Sequence, residues 1–378
     1  MTRLVTVATI ALVLAGCAPL PTGEATPPAS TAQADTPTPT AEAVLDGPVQ
    51  PIGTPNSLVT DLTVPWSIVR LDSGSTFISE RGTAIVKELT PGGEVRVMAT
   101  IPGVSPNGEG GLLGLAVLDD EYLYAYVTAA NDNRIVRFPL RGVPGNYSLD
   151  TTPGQVILAG IAKARTHDGG RIAFGPDGML YATVGDAGVP DRAQDPASLN
   201  GKILRMSPIG AVPVDNPNPG SYVYSLGHRN PQGIAWDDEG QLWAAEFGQN
   251  TWDEFNRIQP GANYGWPLVE GVGNQSGFVD PIAVWPTSEA SPSGLLYTRG
   301  TFFLAALRGQ RIWAIYPNDT GGAQTVAWFV GEYGRVRDVA AGPEGTLWFI
   351  TNNTSGQGDP RPGDDHLWQV SLDVIREG

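Results

Sequence analysis

Arg171-Ile172-Ala173-Phe174-Gly175-Pro176-Asp177-Gly178, with Leu180-Tyr181-Ala182-Thr183 just beyond it, reads as a strand, a tight turn and a second strand. The Asp-Gly pair suits a hairpin because Gly accepts the positive φ that such turns require. The block recurs in both directions along the chain. Upstream lie Trp66-Ser67-Ile68-Val69-Arg70-Leu71-Asp72-Ser73-Gly74 and Gly114-Leu115-Ala116-Val117-Leu118-Asp119-Asp120. Downstream, Gly233-Ile234-Ala235-Trp236-Asp237-Asp238-Glu239-Gly240 leads into Leu242-Trp243-Ala244-Ala245. Asp338-Val339-Ala340-Ala341-Gly342-Pro343-Glu344-Gly345 leads into Leu347-Trp348-Phe349-Ile350. A weaker copy, Ser293-Gly294-Leu295-Leu296-Tyr297, precedes Thr301-Phe302-Phe303-Leu304-Ala305. The copies recur every 45 to 60 residues or so, about the period of propeller blades. Long helical periodicity is absent, and a sandwich would not repeat one strand-turn-strand block. The expected fold is all-β, a six-bladed β-propeller over residues 51–378, closed so that only short edges and a central channel remain. Chemistry is then expected just outside the repeats, on the loops at one face of that channel.

The segment ahead of the repeats has another character. Arg3 supplies positive charge, and Leu4 to Leu14 form an apolar run too short to span a bilayer. The run ends in Leu14-Ala15-Gly16-Cys17, and Cys17 is the single cysteine of the chain. Small residues followed directly by Cys resemble the bacterial lipoprotein box, where the thiol is diacylated and the Cys becomes the mature N-terminus. The expectation is a signal peptide over residues 1–16, a lipidated Cys17, and attachment to the cell membrane through that lipid alone, facing outside the cytoplasm. An ordinary signal peptide with a chance Cys is the competing reading. Residues 17–50 are rich in Pro, Thr and Ala, as in Pro37-Thr38-Pro39-Thr40. They hold too few large apolar residues to build a core, so a disordered tether is expected. The net charge of -16 argues against nucleic acid as a partner, because nucleic acid needs basic patches.

Polar residues gather at the entries and exits of the repeated strands. Thr166-His167-Asp168-Gly169-Gly170 precedes one inner strand, and the chain has only 3 His. A neutral imidazole suits proton abstraction near pH 7. Asp186, in Gly185-Asp186-Ala187-Gly188, leaves the same hairpin and is placed to orient that His. Arg229 and Asn230, in Gly227-His228-Arg229-Asn230-Pro231-Gln232-Gly233, sit at the same phase of the next repeat. A forked guanidinium there suits a carboxylate or an oxyanion. Arg335 and Arg337, in Gly334-Arg335-Val336-Arg337-Asp338, occupy the matching position of the last repeat. At i and i+2 they share one face of a strand, which is unfavourable unless an anion lies between them. The competing reading is that both pair with Asp or Glu. Ala245-Glu246-Phe247-Gly248-Gln249, followed by Asp253-Glu254, offers loop carbonyls beside carboxylates, a combination that suits Ca²⁺; such acidic loops are also commonly just solvated. Gly108-Glu109-Gly110-Gly111-Leu112-Leu113-Gly114 is no nucleotide loop, since no Lys-Ser/Thr follows and no βαβ pattern surrounds it.

Read in order, these strings resemble the soluble glucose/sorbosone dehydrogenase family, which includes the aldose sugar dehydrogenases that use pyrroloquinoline quinone (PQQ). The resemblance runs from about residue 60 to about 373. It is also carried by Pro65-Trp66, Leu199-Asn200-Gly201-Lys202-Ile203-Leu204-Arg205, Asn263-Tyr264-Gly265-Trp266-Pro267 and Arg361-Pro362-Gly363-Asp364-Asp365. The resemblance implies His167 as general base supported by Asp186, and Arg229 with Asn230 on the quinone carbonyls and a cofactor carboxylate. It implies Arg335 and Arg337 around the cofactor, and the carbonyls of Gly248 and Gln249 on a bridging Ca²⁺. Two positions depart from the family pattern. Phe247 replaces a His at the metal loop, and Arg308, in Leu307-Arg308-Gly309, replaces a cofactor-binding Lys. Glu109 stands where relatives carry Glu or Gln, beside an anionic cofactor.

The function these expectations describe is oxidation of the C1 hydroxyl of an aldose to a lactone, with hydride transfer to PQQ. Its partners are a small sugar and an electron acceptor that the motifs do not name. The alternative is a non-catalytic propeller lipoprotein that binds a ligand or partner through the same face. A hydrolase such as a lactonase would need a metal held by side-chain carboxylates deep in the channel, which the two-Arg string and the sparse channel carboxylates oppose.

Overall fold

Each copy of the repeated block forms the two innermost strands of its own antiparallel sheet. In this computed structural model the described residues are 47–152, 154–318 and 320–375. The innermost strands are Pro65–Arg70, Leu112–Leu118, Ile172–Phe174, Pro231–Trp236, Pro292–Thr298 and Val336–Ala341. Each pairs with the strand that follows its turn, and two further strands complete the sheet, which gives six sheets. The second sheet carries an extra short strand, Ser148–Leu149. Pro65–Arg70 packs on both Leu112–Leu118 and Val336–Ala341, so the first blade touches the last and the ring closes. The chain is a six-bladed β-propeller. Helix is confined, among the described residues, to three short 3-10 turns at Pro190–Ala193, Pro343–Gly345 and Asn353–Ser355.

The blades are held together by apolar layers between neighbours. Phe77, Val86 and Met98 of the first blade meet Leu115, Leu123 and Phe138 of the second. Tyr126 and Ile135 of the second meet Leu180 and Leu204 of the third. The pattern continues round the ring and returns to the start through Trp348 and Ile350 against Ile68 and Ile78. Alternation along each strand drives this, because successive side chains face opposite neighbouring blades. Full burial of one such side chain contributes about 1.5–3 kcal/mol.

The last blade is built from both ends of the chain. Its outer strand, Val49–Val59, pairs antiparallel with Leu367–Val374, in a register that sets Val49 opposite Val374. The strand begins two residues before the boundary expected at residue 51, inside the segment read as tether. Pairing explains the difference: partner carbonyls and N–H groups satisfy this backbone, which a sequence without a strong apolar pattern does not reveal. Cys17, the signal peptide and the tether up to residue 46 lie outside the described residues.

Candidate active site

The His167 imidazole and the Asp186 carboxylate form a dyad at the start of the third blade. His167 Nδ1 lies 2.7 Å from Asp186 Oδ1. Asp186 also accepts the Gly188 N–H at 2.7 Å and the Trp266 indole N–H, on Oδ2, at 2.9 Å. The Asp186 side chain is fully buried, while that of His167 keeps some exposure. Burial would raise the Asp186 carboxyl, but the hydrogen bonds and charge of His167, with those of Trp266 and Gly188, outweigh it and hold the carboxyl below its usual value. A carboxylate on Nδ1 fixes the proton there and leaves Nε2 with its lone pair.

The turn that delivers this pair is tightly packed. A Cβ on Gly185 would come within 2.0 Å of the His167 carbonyl oxygen, so only Gly lets the Asp186 turn lie against the His167 segment. His167 itself holds φ at 62°, a left-handed conformation that costs a non-Gly residue roughly 1–3 kcal/mol. Two contacts keep it there. The His167 N–H donates to Glu109 Oε2 at 2.8 Å, and Gly169 donates to Asn230 Oδ1 at 3.0 Å.

Glu246 organises the neighbouring string. It accepts the backbone N–H groups of Arg229 and Asn230, and the His228 ring at 2.7 Å. Ser225 Oγ lies 2.8 Å from the other His228 nitrogen, so Ser225, His228 and Glu246 line up like a hydrolase triad. Ser225 and His228 are nonetheless fully buried, and His228 stacks on Tyr264. This row shapes the loop and reaches no substrate.

A cavity of about 350 Å³ opens at the same face, within the size range of small-molecule sites. Glu109, Arg308, Arg335 and Arg337 line it as a group, together with Trp66 and Phe247. Arg81 lines it as well. Sequence reasoning missed Arg81, because a single Arg just after a strand carries no pattern of its own. His167, Asp186, Arg229 and Asn230 do not line this cavity; Glu109 bonds to His167, and the carbonyl of Phe247 accepts from Arg229 Nη1 at 3.4 Å.

The electrostatics of this cavity call for an anion. Arg335 and Arg337 form no ion pair among the described residues. Arg337 bonds instead to Gln232 at 2.8 Å and Ser293 at 3.2 Å, and Arg335 to Gln357 at 3.0 Å. The adjacent Asp338 is engaged by Arg171 at 2.8 Å. The buried Nε atoms of Arg335 and Arg337 have no hydrogen-bond partner among the described residues. Burial first, and then the positive charges of Arg81 and Arg335, pull Arg337 well below the usual guanidinium value. Arg335 is lowered by burial and by Arg81. Four guanidiniums face one carboxylate, Glu109. A planar polycarboxylate such as PQQ fits this charge distribution, with the Trp66 ring beside it.

The metal loop is occupied by protein contacts. The Gly248 carbonyl accepts from Arg229 Nη1 at 2.5 Å. Glu270 accepts the N–H groups of Gln249, Asn250, Thr251 and Trp252 through one oxygen, and Asp253 accepts that of Gly248. Among the described residues no cluster of three His, Cys, Asp or Glu is set to hold a metal. A cation here would therefore rest on backbone oxygens such as those of Gly248 and Gln249. Arg308 is exposed and, among the described residues, its side chain bonds only to Thr287 Oγ1, at 3.4 Å.

Residues 62–359 match the model of the glucose/sorbosone dehydrogenase family. Quinoprotein glucose dehydrogenase B of Acinetobacter calcoaceticus is 33% identical over 256 residues, 58% of this chain and 54% of that protein, so the chain spans about half that relative's length. The aldose sugar dehydrogenase of Escherichia coli is 28% identical over 327 residues, 78% of this chain and 88% of the relative. Among solved structures, the PQQ-bound form of an aldose sugar dehydrogenase from Streptomyces coelicolor aligns with a TM-score of 0.81 at 46% identity, covering 87% of this chain and 99% of that one.

Proposed function

The chain belongs to the glucose/sorbosone dehydrogenase family, and we propose that it is a quinoprotein that oxidises the C1 hydroxyl of an aldose to a lactone. The observation that carries this reading is the cavity of unpaired guanidiniums beside an Asp-supported His. Arg81, Arg308, Arg335 and Arg337 would hold the carboxylates of PQQ. PQQ, when bound, supplies the acceptor for the hydride that leaves the sugar. His167 Nε2 takes the hydroxyl proton. Asp186 holds the ring in the required tautomer and stabilises the imidazolium that results. Arg229 and Asn230 would supply positive charge and a hydrogen-bond donor toward the quinone. The carbonyls of Gly248 and Gln249 would carry Ca²⁺, a hard cation that oxygen ligands suit. On the same reading the mature protein is exported and held at the cell membrane by lipid on Cys17.

The test is spectroscopic. Purified protein supplied with Ca²⁺ and PQQ should show quinone absorbance that bleaches when an aldose is added. Binding of PQQ without bleaching by any aldose would leave the non-catalytic propeller as the function.

A further inference from the structure

We propose that Trp266 is a positioning residue for His167, acting through the hydrogen bond from its indole N–H to the far oxygen of Asp186. The two carboxylate oxygens have separate duties. Oδ1 meets His167 Nδ1 and the Gly188 N–H, whereas Oδ2 meets Trp266 Nε1 at 2.9 Å. The Asp186 side chain is fully buried, out of reach of bulk solvent. Removal of that donor would leave a charged oxygen unpartnered in the interior, a costly state.

Trp266 is itself held from several directions. Its backbone N–H donates to the Gly227 carbonyl at 3.0 Å. Its carbonyl accepts Gln194 Nε2 at 2.6 Å, and Gln194 is locked to Asn263 by a reciprocal pair of 3.0 and 2.7 Å. The Arg229 guanidinium lies over the ring, 5.5 Å from its centroid. One indole therefore fixes the carboxylate that orients His167 and packs against Arg229.

The chemistry follows from charge. A donor on Oδ2 draws negative charge away from Oδ1 and tempers how strongly Asp186 favours the imidazolium. Trp266 thus sets the basicity of His167 as well as its orientation. Arg229 adds a charge interaction with Asp186, and the hydrogen bonds of the other charged groups in reach go elsewhere. Glu109 accepts the His167 backbone N–H, Arg192 donates to the Asp186 carbonyl at 3.4 Å, and Asp168 is engaged by Asn133 and Ala164. Arg229 bonds to the Gly248 carbonyl. No other hydrogen bond reaches Asp186 Oδ2 among the described residues.

The inference rests on the proposed function only for its effect on turnover; the hydrogen-bond chain can be read without cofactor. The chain has 3 His, so imidazole NMR of the cofactor-free protein can follow each ring, with His167→Gln giving the assignment. Trp266→Phe should raise the His167 titration midpoint by about one pH unit, the worth of one lost hydrogen bond. In an Asp186→Asn background the same change should add nothing. Replacing the indole by benzothiophene keeps both rings and removes only the N–H, so it gives the same reading if Phe loosens the fold. An unshifted or lowered midpoint, or an equal shift with and without Asp186, overturns the proposal. Absence of turnover would sink the dehydrogenase reading while leaving this titration intact. If turnover is found, Trp266→Phe should lower kcat about tenfold or more with KM nearly unchanged.

Discussion

Arg335 and Arg337 stand two residues apart where the chain enters the strand Val336–Ala341, they line one cavity, and neither forms an ion pair among the described residues. Like charges buried together are unfavourable, and the single carboxylate of Glu109 offsets them only in part, so an anionic ligand relieves a repulsion already present. Arg335→Ala should weaken PQQ binding by roughly 2–4 kcal/mol, as expected where a desolvated charge pair loses one member. Arg308 is exposed, and Arg308→Ala should cost about 1 kcal/mol or less, while Arg308→Lys should retain affinity. Calorimetric titration of each variant with PQQ checks the order. A larger loss at Arg308 than at Arg335 would reverse the assignment of the cavity's inner and outer cations.

His167→Gln should lower kcat by ~10²–10⁴-fold, the usual worth of a positioned base. PQQ affinity should stay near that of the wild type, because His167 does not line the cationic cavity. Parallel measurement of kcat and PQQ affinity separates the roles. A matched collapse of both would make His167 a structural residue.

Asp168, next to the base, titrates at an unusual place. Burial pushes its carboxyl up to about 6, only partly opposed by the hydrogen bonds from Asn133 and Ala164. An unfolded Asp titrates near about 3.9. The folded state therefore holds the proton more tightly, and the stability this lends at low pH is lost as pH rises from about 4 to about 6. Asp168→Asn has no charge to bury. It should be more stable than the wild type at pH 8 by roughly 1–3 kcal/mol, with the gap closing below about pH 4. Urea unfolding at several pH values reads this directly, and a gap that does not change with pH would contradict it.

Cys17→Ser should move the protein from the membrane fraction to the soluble exported fraction. On the proposed reading the lipid on Cys17 is the anchor, because the apolar run from Leu4 to Leu14 is too short to span. Fractionation with a lipid-labelling assay decides it. Membrane association that survives the substitution would refute the lipid anchor.

The fold was legible because its unit repeats. All six strand-turn-strand blocks found in the sequence became the inner strand pairs of the six blades, the weak copy at Ser293 included. The dyad was legible because His167 and Asp186 flank one hairpin. Arg81 was not, since what makes it notable is its closeness to Arg335 and Arg337, which come from another blade. Trp266 stood out in sequence only as part of a conspicuous string; its indole meets Asp186, 80 positions away in sequence. Contacts between blades carry no period, so patterns within a blade cannot expose them.

Pairing of Val49 with Val374 makes the sixth blade unlike the others in time as well as in space. Five sheets are built from contiguous stretches and can form as soon as each stretch is available. The sixth has to wait until the chain is complete, and joining partners so far apart along the chain carries the largest loop-closure entropy in the molecule. Ring closure is then a late event, and a chain halted before Leu367 would hold an outer strand with nothing to receive it. Such an unpaired edge is a ready template for pairing with another chain, so the latch also removes an aggregation-prone strand.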